Sequence, residues 1–476
     1  MTNPLITVAI RGGTVVNSNW SRPADVLISG NQIAAVVEPG RRGEDRATDF
    51  TEIDATGRLV LPGGVDPHCH VGFTSGEYTT RDDYYEATRA AVAGGTTTIV
   101  DFAIPRPGEQ PLAVAERQRE KASDGMCDSA LHACVVEWDG TTQGQLEELA
   151  HSGIVTVKMF TTYRDETMAS PTAILNTMKV LRPLGGLVYV HCESNHLVED
   201  RQEELARSGE LSSAHHHQSR SELAELASVS EILALADHAK SPVYFVHQSS
   251  AAAVELAIEA RKRGVRAFSE SVTHHLLIDD SKYSEPNAEL YVCCPPLRAK
   301  STVDALTRHL FTGGITTVGS DHCCYDSAQK KSSKDDVRTM PNGLPGVETR
   351  LPLLFSHFVI EQQLPIERFV ELTSTNPARL NGIYPRKGAI LPGSDADISI
   401  WSREGSHVLT NTVLHMSTDY TPFEGSIVRG TLEMVLVKGQ PAVHQGEFLH
   451  PTARGVHVPG EAMSPDPLLG SRGRKP

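Results

Sequence analysis

The chain is short of positive charge: 44 Lys and Arg stand against 59 Asp and Glu, a formal net charge of −15 over 476 residues. That balance argues against a surface for nucleic acid or for an anionic membrane. No apolar stretch approaches the roughly 18 to 20 residues that a membrane span needs. The opening MTNPLITVAIRGG lacks a basic segment followed by a long apolar one, so no secretory leader is read there. Eight cysteines are present, but Cys134 and Cys192 lie in apolar runs, and Cys293 and Cys294, like Cys323 and Cys324, are neighbours. None forms a CxxC pair with zinc-finger spacing. This is a poor disulfide framework, and a reducing cytoplasm is the expected compartment.

What is present is an ordinary globular composition, 39% hydrophobic and 22% charged, too long for one small core. Both ends read as short strands with recurring turns: LITVAIRGGTVV and ADVLISGNQIAAVVE near the start, ADISIWS and GTLEMVLVKGQPAVHQGEFL near the end. Residues 1–60 and 388–455 are therefore expected to form one β-rich, sandwich-like domain, followed by a poorly ordered tail over 456–476. The middle, 61–387, alternates short apolar runs with amphipathic segments. The runs are 59–66, 96–103, 129–136, 153–160, 186–192, 243–248, 265–271 and 315–321. Between most of them lie helical patterns such as RDDYYEATRAAVAGG and SELAELASVSEILALADHAK. Eight strands with helical crossovers predict an α/β fold, a (β/α)8 TIM barrel carrying the second β-rich domain. A doubly wound open sheet is the alternative, but no G-x-G-x-x-G follows any early strand.

Barrel enzymes place their chemistry at the C-terminal ends of the strands. There the sequence puts His68 and His70, then Lys158, His191, His247 and Asp321, on strands 1, 4, 5, 6 and 8. In extended chain, residues i and i+2 face the same side, so His68 and His70 can ligate one metal together, with Asp66 and Pro67 helping to end the strand. Taken singly, each has a structural reading: a hydrogen-bonded histidine, a turn aspartate in GSDH, a lysine reaching the rim. Their coincidence at strand ends favours a metal site. Lys158 lies in IVTVKMF, apolar enough to bury it, and a buried unpaired ammonium is costly. A buried lysine with a depressed pKa offers a neutral amine, which carbon dioxide converts to a carbamate able to bridge two cations. Four histidines and one aspartate then complete a binuclear site. The run His215 to His217 reads as a solvated loop.

An ordered set of motifs resembles the amidohydrolase superfamily, most closely its cyclic-amidase branch of dihydropyrimidinases and hydantoinases. These are LVLPGGVDPHCH, AAVAGGTTTIVDFA, VKMFTTY, YVHCE, VGSDHC, NGLPGVETRLPLL and NPARLNGIYPRKGAILPGSDADISIW, spread over nearly the whole chain. The resemblance implies two divalent metal ions, zinc by preference. His68, His70 and Asp321 would hold one, His191 and His247 the other, with carboxylated Lys158 and a hydroxide between them. Asp321 would also shuttle the proton to the leaving ring nitrogen, and Tyr163 would hydrogen-bond the developing oxyanion. Backbone groups at Cys294 (in CCPPLR) and Asn342 (in PNGLPG) would hold the ring amide, Cys294 standing where the family usually has serine. The implied partner is a small cyclic amide, and the implied assembly is a homo-oligomer, usually a tetramer.

Within the superfamily, dihydroorotases carry an arginine two residues after H-x-H. Gly72 stands there, which disfavours a ring bearing a carboxylate. Phe73 and Phe160 offer an apolar lid for a ring substituent, although the loop VGFTSGEYTTRDD departs from the usual apolar one. Allantoinase is the close alternative. Deaminases of the superfamily usually lack the strand-4 lysine, and the branch's non-catalytic scaffold relatives lose metal ligands; all six are present here.

Overall fold

The continuous apolar runs become parallel strands. A computed structural model of the protein describes residues 5–40, 50–106, 108–449 and 455–464. Its barrel strands are β1 (Gly64–Cys69), β2 (Thr96–Ala103), β3 (Asp128–Cys134), β4 (Thr156–Phe160), β5 (Leu187–His191), β6 (Val243–Phe245), β7 (Ala267–Val272) and β8 (Thr317–Gly319). Every residue in them is buried, as parallel strands covered on their outer faces by helices must be. The strands pair in chain order from β1 to β8. The expected helices form between them; Tyr84–Ala93, for example, starts from a capping box in which Asp83 and Glu86 satisfy each other's backbone N–H. On β4, Val157 and Met159 pack outward with Leu146, Ile174 and Met178. Period-2 alternation then turns Lys158 into the barrel.

The seam between β8 and β1 is closed largely by side chains. Asp66 Oδ1 accepts from the backbone N–H of Ser320 (3.0 Å) and of His68 (3.2 Å). Ser320 Oγ donates to the His68 carbonyl (3.1 Å), and the His70 N–H to the His322 carbonyl (2.8 Å). Below, the buried Arg350 donates to the Val318 carbonyl (2.9 Å) and Thr96 Oγ1 (3.0 Å) and lies 3.5 Å from Asp66 Oδ2. Asp66 and Pro67 thus sit inside β1, where Asp66 helps close the barrel, rather than ending the strand.

The run 59–66, expected as one barrel strand, is two. Leu59–Pro62 pairs antiparallel with Ile398–Val408 in a seven-stranded sheet, and the chain enters the barrel only at Gly64. That sheet packs on a four-stranded one built from Val8–Arg11, Asp25–Ser29, Gln32–Val37 and Thr51–Asp54. Val15, Val26, Ile28, Val60, Ile398 and Leu436 fill the space between, so both chain ends build one β domain. A buried charge cluster ties it to the barrel floor: Lys387 Nζ lies 2.7 Å from Asp128, 2.9 Å from Asp395 and 2.5 Å from Asp397.

The expected tail is in part fixed. Residues 455–464 cross the N-terminal ends of β3, β4 and β5, with Val458 N–H donating to the Ser129 carbonyl, Gly460 to Gly153 and Met463 to Gly185. Val458 and Met463 are buried there. Residues 465–476 lie outside the described residues.

Candidate metal centre

Five strands deliver the polar side chains to one cleft. His68 and His70 stand at the end of β1, their ring centroids 5.2 Å apart. Lys158 is on β4, His191 is the last residue of β5, and His247 and Asp321 each come two residues after β6 and β8. Asp321 Oδ1 lies 3.0 Å from His68 Nε2 and 3.3 Å from His70 Nε2. Ligand atoms of His68, His247 and Asp321 all fall within 4.8 Å of one another. The His191 and His247 rings are 4.5 Å apart. Tyr163, Cys294 and Asn342 line the same cleft with His70, Lys158, His191, His247 and Asp321. All nine residues singled out in the sequence are therefore brought together.

The nitrogens there are orphaned. His70 Nδ1, Lys158 Nζ and His247 Nδ1 are buried without a hydrogen-bond partner, and His68 Nε2, although 3.0 Å from Asp321 Oδ1, makes no well-aligned hydrogen bond. Each such group costs free energy unless something pairs it. Buried imidazoles converging on one carboxylate are a donor set that divalent cations satisfy. The backbone is strained at the same place. Of the eight non-glycine residues with positive φ among the described residues, three are Tyr163 (67°), His247 (35°) and Asp321 (50°). Such conformations cost about 1–3 kcal/mol each and persist where the surroundings hold them.

Electrostatics divide the group. Burial lowers Lys158 to about 8 and His70 to about 4, and pulls His247 well below its ordinary value. Burial works the same way on His68, but the flanking Glu270 and Asp321 carboxylates outweigh it and raise that imidazole to about 9. Burial favours the neutral form of Asp321, yet the facing His68, His70 and His247 hold it well below the usual carboxylate range.

A family model described as the amidohydrolase family matches residues 59–442. The chain belongs to the amidohydrolase family. It is 35% identical over 456 residues to a D-hydantoinase of Streptomyces coelicolor, covering 94% of this chain and 97% of that one. It is 32% identical over 467 residues to a dihydropyrimidinase of Rattus norvegicus, covering 97% and 90%. The structure of a dihydropyrimidinase from Brevibacillus agri superposes with a TM-score of 0.92 at 34% identity, covering 96% of this chain and 99% of that one. An L-hydantoinase from Arthrobacter aurescens gives 0.87 at 26%, covering 96% and 100%.

In this amidohydrolase the imidazoles are oriented by carboxylates that the strand-end reading missed. Glu270, on β7, accepts from His68 Nδ1 (2.7 Å) and the His247 N–H (2.8 Å) through Oε1, and from the Tyr244 hydroxyl (2.7 Å) through Oε2. Glu193 Oε2 accepts from His191 Nε2 at 2.8 Å, which turns Nδ1 of that ring to the cleft. A carboxylate behind a ligating imidazole fixes its tautomer and raises its basicity. The signals were present as acidic residues interrupting FSES and ending VHCE.

The outer wall is mixed. Phe73 and Phe160 line the cleft as expected, but so do Ser75, Glu166 and Thr167. The departing loop folds into a small hairpin, Thr74–Ser75 against Tyr78–Thr79. Burial pushes the Cys294 thiol up to about 12, so it stays protonated beside Tyr163. The triplet His215 to His217 is not a solvated loop. His216 is fully buried and its Nε2 donates to the Cys293 carbonyl (2.8 Å), backing the segment that carries Cys294.

Proposed function

We propose that the protein is a metal-dependent cyclic amidase that opens a dihydropyrimidine or 5-substituted hydantoin ring to the N-carbamoyl amino acid. The observation that carries this reading is the convergence of His68, His70, Lys158, His191 and His247 with Asp321 in one buried cleft, in a chain whose relatives are named hydantoinases and dihydropyrimidinases. His68, His70 and Asp321 would hold one divalent cation and His191 and His247 a second, with carboxylated Lys158 as a ligand shared by the two sets; zinc would fit these donors best. Such cations supply Lewis acidity, making water a nucleophile at neutral pH and polarising the scissile carbonyl.

Lys158 is suited to carboxylation. At pH 7 a pKa near 8 leaves roughly a tenth of the amine neutral, about 300-fold more than an ordinary lysine. The neutral amine adds to carbon dioxide and releases one proton, leaving an anion where an unpaired cation was costly. Asp321, held as a carboxylate, accepts a proton from the attacking water as its oxygen bonds to the ring carbonyl carbon. The same proton goes to the ring nitrogen as the C–N bond breaks. Tyr163, kept protonated by burial, donates to the carbonyl oxygen while it carries negative charge. Backbone groups at Cys294 and Asn342 hold the ring amide, and the protein works as a homo-oligomer, tetrameric by family resemblance.

The polar stretch of wall at Ser75, Glu166 and Thr167 favours a second reading, allantoinase, whose substrate carries a polar ureido substituent. A hydrolysis panel separates them: dihydrouracil, 5-substituted hydantoins, allantoin and dihydroorotate, each with zinc-reconstituted protein. Turnover of dihydrouracil or hydantoins with dihydroorotate inert is expected. Turnover of allantoin alone supports the second reading, and no ring opened by fully metallated protein overturns both.

A further inference from the structure

Arg220 is a buried cation that the mechanism above does not use. It lies between helices His216–Ser219 and Glu222–Ala239 and is 5% exposed. Its Nη1 sits 2.6 Å from Glu193 Oε2, the same oxygen that accepts from His191 Nε2 at 2.8 Å. Its guanidinium carbon lies 4.9 Å from the centre of the Tyr163 ring. One side chain therefore touches both halves of the site: the carboxylate that sets the His191 imidazole and the ring of the phenol. Arg298 Nη1 donates to the Arg220 carbonyl at 2.5 Å, anchoring the main chain beneath. Tyr163 needs such support, because its own backbone is left-handed at φ 67°.

A buried ion pair is by itself poor evidence for stability, since apolar residues of similar volume often serve as well. What only a guanidinium offers is a planar face for an aromatic ring together with directed donors for a carboxylate. We propose that Arg220 is a positioning residue that ties the His191 imidazole, through Glu193, to the Tyr163 phenol. The two then keep a fixed relation across the substrate. The inference rests on the role given to Tyr163 above.

The test is a double-mutant cycle on the ring the panel shows to be hydrolysed best. The variants are Arg220→Lys, Tyr163→Phe and the pair, each with metal content, melting temperature, kcat and KM. Lysine keeps a charge for Glu193 but has no planar face for the phenol. Arg220→Lys should keep its metal and melting temperature and lose about tenfold in kcat, with KM within about threefold. In the Tyr163→Phe background the same change should cost less than about threefold, because the phenol it positions is gone. Equal losses in both backgrounds, wild-type kcat for Arg220→Lys, or an Arg220→Lys protein that does not fold would each overturn the proposal. Undiminished kcat in Tyr163→Phe alone would instead remove Tyr163 from the mechanism, and the inference with it.

Discussion

Lys158 is a place where function works against stability, and the size of the conflict can be worked out. Its ammonium is fully buried, has no hydrogen-bond partner and sits 4.7 Å and 4.8 Å from the centres of the Phe102 and Phe160 rings. Burial brings its pKa from 10.5 to about 8. At about 1.36 kcal/mol per unit, the unmodified lysine costs the metal-free fold about 3 kcal/mol wherever it must stay charged. The sign follows from the depressed folded pKa of a base. Below pH 8 both states are protonated and the whole cost is present. Between 8 and 10.5 the folded state gives up its proton first, so stability rises with pH. Above 10.5 the cost is gone. Lys158→Met fills nearly the same space without a charge. Stripped of metal and bicarbonate, it should be more stable than wild type by up to about 3 kcal/mol at pH 7, and the gap should close by pH 10.5. Urea unfolding at the two pH values measures this. A Met variant less stable than wild type at pH 7, or a gap that ignores pH, refutes the view of Lys158 as an unpaired buried amine held ready for carboxylation.

Two further outcomes are expected. Asp321→Asn keeps an oxygen near the metals but cannot carry the proton, so kcat should fall about 10²–10⁴-fold while metal content, assayed on the same sample, is largely kept. A metallated variant with near wild-type turnover would leave Asp321 as a turn residue. Lys387→Met should cost about 3 kcal/mol, because it takes the buried cation from Asp397 and leaves Asp128 to Lys438 and Asp395 to the more exposed Arg386. Thermal unfolding reads the loss, and kcat well below the melting temperature should be unchanged.

The barrel was legible because buried parallel strands read as apolar runs and their crossovers as amphipathic ones, so each of the eight runs overlaps a barrel strand, the first only at its last three residues. The site was legible by coincidence of position: a histidine, lysine or aspartate after one apolar run has an ordinary structural use, but six of them at the ends of five barrel strands point to one cleft. What escaped depended on long-range pairing or on insertion. Nothing local tells Leu59–Pro62 that its partner is Ile398–Val408, more than 300 residues away, so the split of the first run between two sheets is invisible in the sequence. His216 reads as polar because its neighbours are serine, histidine and glutamine; only the Cys293 carbonyl across the fold makes its burial affordable. Residues 455–464 are rich in glycine and proline, as a loose tail would be, yet the same features let the chain lie flat against the barrel floor, where Gly455 and Gly460 approach backbone too closely for a side chain. Glu193, Glu270 and Arg220 act through other residues, and a reading confined to strand ends passes over them.

The proposed chemistry needs two cations held on six side chains from five strands. Elemental analysis of protein reconstituted with zinc and bicarbonate, run beside ring hydrolysis on the same sample, tests it most directly. About two ions per chain are expected, with activity rising as the second is filled. One ion or none per chain at full hydrolytic activity would contradict it.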